Sequence, residues 1–278
     1  MDLIAYQIRF YVYKTNPAGA PGNPPRPPMH TPRTQCLSLL RAVAALLPTL
    51  FLPVAAVAAA GSLEAPEANQ KDSASRTRLK YETVLKAART SPPPPGSVIC
   101  IGSSHMEFWK SVAADLSPLS VYNHGVGGSR MSQAAGFYIE NLAIPFKPRA
   151  VILYEGSNDI AGGATPEIIL EHFKLLHTRL HSALRDARLY VLSIVPSPGK
   201  RFEKIDVIRA TNGLLRKECE SQSWIKFIDI TEPLIGTDGV PSAACFIPGD
   251  IHMTRAGYEV WKAAIAPVLL PIEQPFEK

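Results

Sequence analysis

The chain has 278 residues, of which 46% are hydrophobic and 19% are charged, so it is long and apolar enough to bury a substantial core. Its formal net charge is +5, and the first 60 residues supply most of this charge, with five basic side chains and one acidic side chain. The rest of the chain is close to neutral, which argues against a nucleic-acid-binding protein, because such a protein needs a basic face on its folded part.

The N-terminal part of the chain falls into two segments of different composition. Residues 1–28 begin aromatic and become rich in Pro and Gly, so we expect a disordered extension, or sequence that precedes a true translation start at Met29. Residues 29–60 have the layout of a secretory signal peptide, with two arginines, an apolar run over 46–60 and small residues before Gly61. They predict a secreted or periplasmic protein. An uncleaved membrane anchor is the alternative and would be the only membrane contact, but two prolines and the shortness of the run disfavour it.

Residues 61–96 are predicted to form a linker that contains one short helix. The stretch 62–78 is polar, whereas apolar residues recur at helical spacing over 79–89. The Pro-rich run that follows, 91–96, ends this helix because proline cannot continue it.

From residue 97 onward, short apolar stretches alternate with helical patterns. A short helix follows the first strand, and Thr165-Pro166-Glu167 supplies an N-cap, an N1 proline and an early acid for a longer one. Because strands that alternate with helices form right-handed crossovers, the pattern predicts a parallel sheet with helices on both faces. The predicted domain spans 97–273 and leaves 274–278 as a tail. The predicted strands are 97–101, 119–122, 149–154, 188–194 and 224–229, and the longer helices are 165–185, 204–220 and 254–270.

Polar and glycine residues follow each of the first four predicted strands, and a similar group precedes the last helix. In parallel α/β sheets, ligands bind outside the carboxyl ends of the strands, so we expect these segments to form one site. The segments are 102–104, 123–129, 155–159, 196–198 and 249–252.

Five residues of these segments can together perform acyl transfer. Ser104 follows a strand and begins a helix, where backbone N–H groups lack partners, and a serine becomes a nucleophile when a base takes its proton. His252 is the candidate base, and Asp250 is the candidate carboxylate that would fix its tautomer. The oxyanion would be held by preorganised donors, each typically worth about 3 kcal/mol. These donors are the backbone N–H groups of Ser104 and Gly128 and the side-chain amide of Asn158.

Four blocks of sequence carry a family resemblance. They are Gly-Ser-Ser-x-x-x-x-Trp at 102–109, Gly-Val-Gly-Gly-Ser at 125–129, Leu-Tyr-x-Gly-x-Asn-Asp at 153–159 and Gly-Asp-Ile-His at 249–252. In this order and spacing they resemble the SGNH (GDSL-type) hydrolase superfamily, in its esterase/acylhydrolase branch. The resemblance covers roughly 98–270 and implies ester hydrolysis without a cofactor. In that family one Ser, one Gly, one Asn and one His form the site, and the matching positions are Ser104, Gly128, Asn158 and His252.

The chain departs from this family pattern at two positions. Ser103 stands where the family has the Asp of its Gly-Asp-Ser block, and we expect a modest effect because that position only supports the site. The family's last block has an acid three residues before the His, but that position is Gly249 here, and Asp250 lies two residues before His252. The site is a triad if the loop brings Asp250 to the imidazole, and otherwise a Ser–His dyad in which a backbone carbonyl orients the ring.

Other chemically reactive residues are predicted to play structural parts. His105 and His124 flank the motifs and are expected at the rim of the site without a catalytic role, and Asp159 is expected to hold its loop. Cys100 and Cys219 are predicted to be buried thiols, and neither the cysteines nor the histidines show metal-ligand spacing.

These observations predict a three-layer α/β/α sandwich with a five-stranded parallel sheet in flavodoxin-like order. They predict a serine ester hydrolase that cleaves small acyl esters through an acyl-enzyme, with acylated carbohydrates and lipids among its candidate substrates and no cofactor. A non-catalytic ligand- or carbohydrate-binding module of the same fold is the alternative, which the altered block at 249–250 supports. A flavodoxin-like nucleotide binder is a third interpretation.

Overall fold

A five-stranded parallel β-sheet forms the middle layer of the protein. Its strands are β1 (Val98–Gly102), β2 (Val121–Asn123), β3 (Ala150–Tyr154), β4 (Arg188–Leu192) and β5 (Ile225–Ile228). The strand order is β2-β1-β3-β4-β5, and every neighbouring pair is parallel. This is the flavodoxin-like order, and it confirms the predicted fold class.

The structure is a computed structural model that describes residues 66–277, with side chains from residue 72 onward. The predicted extension 1–28 and signal segment 29–60 therefore lie outside the described residues. Within those residues, the helices are α1 (Pro66–Thr90), α2 (Ser104–Phe108), α3 (Val112–Asp115), α4 (Met131–Gln133), α5 (Ser157–Ala161), α6 (Pro166–Ala183), α7 (Ile205–Glu220) and α8 (Arg255–Glu273). Helix α4 continues directly into a π-helix, Ala134–Ala143, and a 3₁₀ turn, Ile144–Phe146.

Each face of the sheet carries its own hydrophobic core. Along β1, Ile99 and Ile101 enter one core while Val98 and Cys100 enter the other, as the alternation of side chains along a strand requires. Helices α1, α6 and α7 and the π-helix cover the first core. Helices α2, α3 and α8 cover the second core. All of β1 and β3 is buried, because the central strands of a parallel sheet have helices on both sides.

The long helices begin where their capping residues predict. Thr165 Oγ1 accepts a hydrogen bond from the Ile168 backbone N–H at 3.4 Å, with Pro166 in the first turn of α6. Thr254 caps α8 in the same way, because its Oγ1 accepts from the Gly257 backbone N–H at 3.4 Å. The first residue of α8 therefore lies directly after the segment that contains the candidate base.

Helix α8 and the predicted tail extend the folded domain at its C-terminal end. The helix continues to Glu273, three residues beyond the predicted end, and the Glu273 carboxylate is fully buried among hydrogen-bond donors. Glu277, in the predicted tail, accepts from the backbone N–H and the hydroxyl of Ser120, each at 2.8 Å. The contacts of these two glutamate side chains thus hold the C-terminal end of the domain in place, and hydropathy patterns do not register such contacts.

Helix α1 is much longer than the predicted helix 79–89 and begins inside the predicted linker. Its core-facing stripe is narrow and begins with a polar residue, so apolar periodicity detects only its second half. Leu79 was counted in the predicted apolar face but is 65% exposed. The stripe consists of Thr77, Tyr81, Val84, Leu85 and Ala88.

No helix is predicted over 131–146, where the structure has α4, the π-helix and the 3₁₀ turn. The buried residues of the π-helix recur in pairs four residues apart, an interval longer than the α-helical repeat. Gly136 and Pro145 also weaken a helical pattern. The pairs are Ala134 and Ala135, Tyr138 and Ile139, and Leu142 and Ala143.

The cysteines of the described residues are buried and free, which confirms the prediction for Cys100 and Cys219. Burial raises the pKa of the Cys219 thiol to about 12, so this thiol stays protonated at neutral pH. None of the helices within residues 66–277 has the length and apolar character needed to span a membrane.

Candidate active site

Ser104 lies at the turn that joins β1 to α2. Gly102 ends the strand, and a Cβ at this position would lie 2.6 Å from the Tyr154 carbonyl oxygen at the end of β3, so the turn needs a glycine there. Ser104 is the first residue of α2 and is half-buried. Its backbone N–H donates to no group of the described residues, as expected for the first turn of a helix. The Ser104 hydroxyl and a free N–H donor are therefore presented together at the carboxyl end of β1.

A continuous hydrogen-bonded path joins three of the predicted site residues. Ser104 Oγ lies 2.9 Å from His252 Nε2, and His252 Nδ1 lies 2.8 Å from Asp250 Oδ1. Because a carboxylate can only accept, Nδ1 carries the ring proton and Nε2 is left to accept from the serine hydroxyl. The structure thus has the arrangement expected of a triad and not that of a dyad oriented by a backbone carbonyl.

Asp250 reaches the imidazole from two residues away because its carboxylate folds back over its own loop. Asp250 Oδ1 accepts from the backbone N–H groups of Ile251 at 2.6 Å and His252 at 3.2 Å, as well as from Nδ1. Gly249 precedes this turn with φ 75°, a left-handed conformation that favours glycine. Slight burial raises the pKa of Asp250, but hydrogen bonds from the backbone N–H groups of His252 and Ile251, together with the electrostatic attraction of the His252 side chain, outweigh it and lower the pKa below its usual range. The carboxylate is therefore ionised at neutral pH.

His105 supports the same loop from inside the protein. It is 1% exposed, and its Nε2 lies 3.0 Å from the Ile251 carbonyl oxygen. Burial, together with repulsion from His252, lowers the pKa of His105 to about 3, so its ring is neutral and donates to that carbonyl. The prediction that His105 and His124 lie at the rim is wrong, because both are buried; His124 Nδ1 lies 2.6 Å from the Leu142 carbonyl oxygen. The apolar contacts of their rings hold both residues below the surface.

Gly128 is the one exposed residue of the loop 125–129, which lies beside α1. Its φ is 87°, and a Cβ at this position would lie 2.5 Å from Thr77 Oγ1, so two constraints require glycine. Its backbone N–H donates to no group of the described residues. The same loop contacts α2, because a Cβ on Gly125 would lie 2.4 Å from the Glu107 backbone nitrogen. The predicted oxyanion loop is therefore held between α1 and α2.

Asn158 lies at the carboxyl end of β3, in the first turn of α5, and its amide has two partners. Its Nδ2 donates to the Ser129 carbonyl oxygen at 2.9 Å, which ties it to the loop that carries Gly128. Its Oδ1 accepts from the Arg201 guanidinium at 3.1 Å. One Nδ2–H remains available, so the amide can still donate to a bound group.

Two buried carboxyl groups hold the loops around Asn158. Both oxygens of Asp159 accept from the Met131 backbone N–H, at 3.2 and 3.1 Å, which confirms that this residue holds its loop. Glu155 accepts from the Ser129 hydroxyl. Burial raises the pKa of both carboxyl groups, and for Glu155 the nearby Asp159 raises it further. Neither carboxyl group contacts His252.

A cleft opens beside the Asp250 loop. It has a volume of about 440 Å³ and lies between residues 198–200 and 246–251. Next to it is a second cleft of about 570 Å³, bordered by 198–205 and 240–241. Among residues 66–277, no group of three or more His, Cys, Asp or Glu side chains is arranged to hold a metal ion.

Two residues that contribute to this site, Thr77 and Arg201, were not predicted from the sequence. Thr77 lies in a polar stretch that precedes every motif, so nothing in the sequence marks it. Arg201 follows the Pro-Ser-Pro segment at the carboxyl end of β4, which is the neighbour of β3. A basic residue at that position was the available signal, because the ends of adjacent parallel strands meet at one edge of the sheet.

The comparison with family models identifies the family to which the chain belongs. A model of the GDSL-like lipase/acylhydrolase family matches residues 95–260, which include Ser104, Gly128, Asn158 and His252. The chain therefore belongs to the GDSL-like lipase/acylhydrolase family, a family of hydrolases. A comparison with curated proteins gave no match.

Solved structures share the fold at low sequence identity. A Streptococcus pneumonia protein that carries the name of platelet activating factor has 16% identity and a TM-score of 0.61 over 72% of this chain and 96% of its own. A GDSL-like lipase from Bacteroides thetaiotaomicron has 18% identity and a TM-score of 0.58 over 68% of this chain and 96% of its own. A lipolytic G-D-S-L family member from Veillonella parvula has 19% identity and a TM-score of 0.53 over 63% of this chain and 99% of its own.

Proposed function

We propose that this protein is a serine ester hydrolase that works through an acyl-enzyme on Ser104. The observation that carries the proposal is the path from Ser104 Oγ through both ring nitrogens of His252 to Asp250, with contacts of 2.9 and 2.8 Å. Membership of an acylhydrolase family supports hydrolysis in general, and this geometry favours serine as the nucleophile.

In the acylation step, Ser104 Oγ attacks the ester carbonyl carbon while His252 Nε2 takes the hydroxyl proton. The negative charge that develops on the carbonyl oxygen is stabilised by the free backbone N–H groups of Ser104 and Gly128 and by the remaining N–H of Asn158. The tetrahedral intermediate then collapses, and His252 gives its proton to the leaving alcohol oxygen. Asp250 stabilises the imidazolium and holds its ring in place.

Deacylation repeats these roles with water as the nucleophile. His252 Nε2 takes a proton from the water as its oxygen attacks the acyl carbon, and the same three donors hold the second oxyanion. When this intermediate collapses, the proton returns to Ser104 Oγ and the carboxylic acid is released. No cofactor takes part in the proposed cycle.

We expect a small acyl group, carried by an alcohol such as a carbohydrate or a lipid. The Phe108 ring packs edge-on against the His252 ring, with ring centroids 4.7 Å apart, and Phe108 remains 40% exposed. It therefore narrows the space beside the nucleophile. The cleft of about 440 Å³ next to Asp250 offers more room, which suits the larger alcohol part of the ester.

We also propose that the protein is secreted or periplasmic, on the basis of segment 29–60, with a membrane-anchored form as the alternative. Expression of the full chain in a bacterial host, followed by sequencing of the mature N-terminus, tests this proposal. A mature chain that begins near Gly61 supports it, and an intact N-terminal segment in the membrane fraction supports the anchor.

Steady-state hydrolysis of p-nitrophenyl esters tests the proposed activity. We expect the full chain to hydrolyse the acetate, and Ser104→Ala and His252→Ala to reduce kcat to near background. Ser103→Ala is the matched control, because the Ser103 hydroxyl is buried without a hydrogen-bond partner among the described residues. A wild-type protein that is folded but no faster than Ser104→Ala, on acetate and on longer esters, contradicts the proposal and favours the non-catalytic binding module.

A further inference from the structure

Arg201 reaches into the candidate site from the 3₁₀ turn Gly199–Lys204 that follows β4. Its guanidinium donates to the Ser157 carbonyl oxygen, to Ser157 Oγ at 3.1 Å and to Asn158 Oδ1 at 3.1 Å. All three acceptors belong to the first turn of α5. One side chain from the end of β4 therefore fixes the residues that follow β3.

The positive charge of Arg201 has no carboxylate partner in the part of the chain that the structure describes. Burial lowers the pKa of the guanidinium, but arginine remains protonated at any pH at which a protein is folded. A partly buried cation without a counter-ion costs free energy, because its hydration is only partly replaced. Such a charge is tolerated where negative charge develops nearby, and one of its two side-chain partners, at the same 3.1 Å as Ser157 Oγ, is the candidate oxyanion donor Asn158.

The contacts of Asn158 determine which way its amide faces. A guanidinium has donors only, so the group that faces Arg201 must be Oδ1. The Ser129 carbonyl can only accept, so the group that faces it must be Nδ2. A flipped amide would place donor against donor and acceptor against acceptor. Arg201 and Ser129 together hold the amide with its nitrogen on the side of the Gly128 loop.

We infer that Arg201 is a positioning residue for oxyanion stabilisation, which acts through the Asn158 amide. A charged donor on Oδ1 draws electron density from the amide nitrogen and makes the remaining Nδ2–H a stronger donor. The effect grows as negative charge develops on the substrate, so Arg201 favours the transition state more than the bound ester. This inference rests on the proposed function, because it requires an oxyanion at Asn158.

Lys204 offers a matched control in the same turn. Its ammonium donates to the Ile160 carbonyl oxygen at 2.8 Å, so it also links this turn to α5, but it makes no contact with Asn158. Both side chains are cationic, and both bind a backbone carbonyl of the same helix. A role in anchoring α5 is common to Arg201 and Lys204, whereas a role in aligning the Asn158 amide belongs to Arg201 alone.

The experiment measures kcat and KM for p-nitrophenyl acetate with the full-length wild type, Arg201→Met, Arg201→Lys and Lys204→Met. We expect Arg201→Met to lower kcat roughly 10- to 100-fold with KM changed less than about threefold, because the loss falls on the transition state. Arg201→Lys keeps the charge but not the fork of donors, and we expect an intermediate kcat. We expect the kcat of Lys204→Met to stay within about threefold of that of the wild type. In an Asn158→Ala background, Arg201→Met should cost less than about threefold, because the partner through which it acts is gone.

Each contrary outcome has a distinct meaning. If Arg201→Met keeps the wild-type kcat while Ser104→Ala is inactive, the inference is wrong and the proposed function stands. The inference is also wrong if Arg201→Met and Lys204→Met lower kcat equally. It is wrong as well if Arg201→Met lowers kcat as much in the Asn158→Ala background as in the wild type. If thermal unfolding shows that Arg201→Met does not fold, Arg201→Lys decides, and a wild-type kcat in that variant overturns the inference. A wild type no faster than Ser104→Ala overturns the proposed function itself.

Discussion

Asp250 is the residue at which this chain departs most from the pattern of its family, and a local turn compensates for the departure. One of its carboxylate oxygens accepts from Ile251 N–H, His252 N–H and His252 Nδ1–H. The backbone N–H groups of the two residues that follow Asp250 therefore hold its carboxylate, and its negative charge stays next to the imidazole.

Replacement of this acid should be costly. We expect Asp250→Asn to lower kcat by a factor of about 10² to 10⁴, because the amide keeps a hydrogen-bonding atom near Nδ1 but not the charge that stabilises the imidazolium. The measurement is kcat with p-nitrophenyl acetate. Asp238→Asn is the matched control, because Asp238 also accepts from a nearby backbone N–H, that of Val240, but lies outside the triad. A kcat within threefold of the wild type for Asp250→Asn would indicate a working Ser–His dyad.

Buried neutral His105 should make the stability of the protein depend on pH. Its pKa is lowered from 6.5 to about 3 in the folded protein, chiefly by burial. Between these values the unfolded chain binds a proton that the folded protein does not. The contribution of His105 is therefore complete above pH 6.5 and is lost progressively as the pH falls.

The variant His105→Gln tests this dependence, because a glutamine amide can still donate to the Ile251 carbonyl oxygen but does not titrate. We expect the free energy of unfolding of the wild type to fall by about 2 kcal/mol more than that of the variant between pH 6.5 and pH 5. Urea unfolding at the two pH values measures the difference. Parallel losses in the two proteins would show that His105 is protonated in the folded state.

At the scale of elements, α1 has a role beyond its contribution to the core. It lies before residues 95–260 that the family model matches, yet its Thr77 lies against Gly128. Its Lys80 pairs with Glu107 of α2 at 2.8 Å, and Tyr81 stacks on Tyr138 of the π-helix with ring centroids 5.0 Å apart. The helix therefore contacts the loop that carries Gly128 as well as α2 and the π-helix.

Loosening α1 should loosen that loop. We expect Tyr81→Ala to remove about 1 to 2 kcal/mol of stability, to speed hydrogen exchange over 125–129 and to lower kcat/KM by a factor of roughly 3 to 10. Leu79→Ala is the control, because this side chain is on the same helix but is 65% exposed. Equal exchange of the 125–129 peptide in both variants would contradict a role for α1 in holding the loop.

Elements also differ in how well the sequence predicts them. The central strands β1, β3 and β4 were predictable because a buried parallel strand is a short apolar run, and α6 because Thr165-Pro166 marks its start. The outer strands β2 and β5 are only partly buried, but their apolar and aromatic residues still mark them. The first half of α1 has no apolar periodicity, and the buried pairs of the π-helix do not repeat at the α-helical interval. The π-helix was missed because tertiary contacts, and not a local pattern, hold it, whereas the first half of α1 was missed because its described side chains are exposed except for Thr77.

In the whole molecule, the candidate site and a buried ionic cluster lie at opposite ends of the parallel strands. The candidate site occupies the carboxyl ends of the strands, and an ionic cluster occupies the amino ends. There the buried Glu273 carboxylate accepts from the Arg188 guanidinium, from Arg149 Nε at 3.0 Å and from the Tyr190 hydroxyl at 2.6 Å. This cluster ties the end of α8 to the start of β4 and to the residue before β3.

We expect Glu273→Gln to lower the free energy of unfolding by about 3 kcal/mol, because it removes a fully buried counter-charge from two partly buried arginine side chains. Among the described residues, Arg188 then loses its carboxylate partner, and Arg149 keeps only Glu277. The kcat should remain within about twofold of the wild type, since the cluster lies at the opposite edge of the sheet from Ser104. Urea unfolding and ester hydrolysis are the two measurements. Glu232→Gln is the control, because its ion pair with Arg209 is exposed and should change stability by less than about 1 kcal/mol. A large loss of kcat in folded Glu273→Gln would contradict the expectation that the ionic cluster supports stability without affecting the candidate site.

The position of the candidate site at the strand ends explains which of its residues could be predicted from the sequence. Ser104, Asn158 and His252 were found because each sits in a short block directly after a strand or before a helix, where topology alone brings the blocks together. The Asp250 turn depends on one carboxylate rotamer, and the Arg201 contact depends on how far a long side chain reaches across adjacent strand ends. Such contacts are set by packing, so spacing along the chain does not predict them.

Reaction with a fluorophosphonate probe, with the modified residue mapped by tandem mass spectrometry, is the most direct test of whether Ser104 is an activated nucleophile. Only a serine whose proton is taken by a positioned base reacts readily with such a probe. We expect a single phosphonylated residue, Ser104, in the wild type and labelling slowed at least about 100-fold in His252→Ala. Labelling of Ser104 that is no faster in the wild type than in His252→Ala, or modification of a different serine, would contradict it.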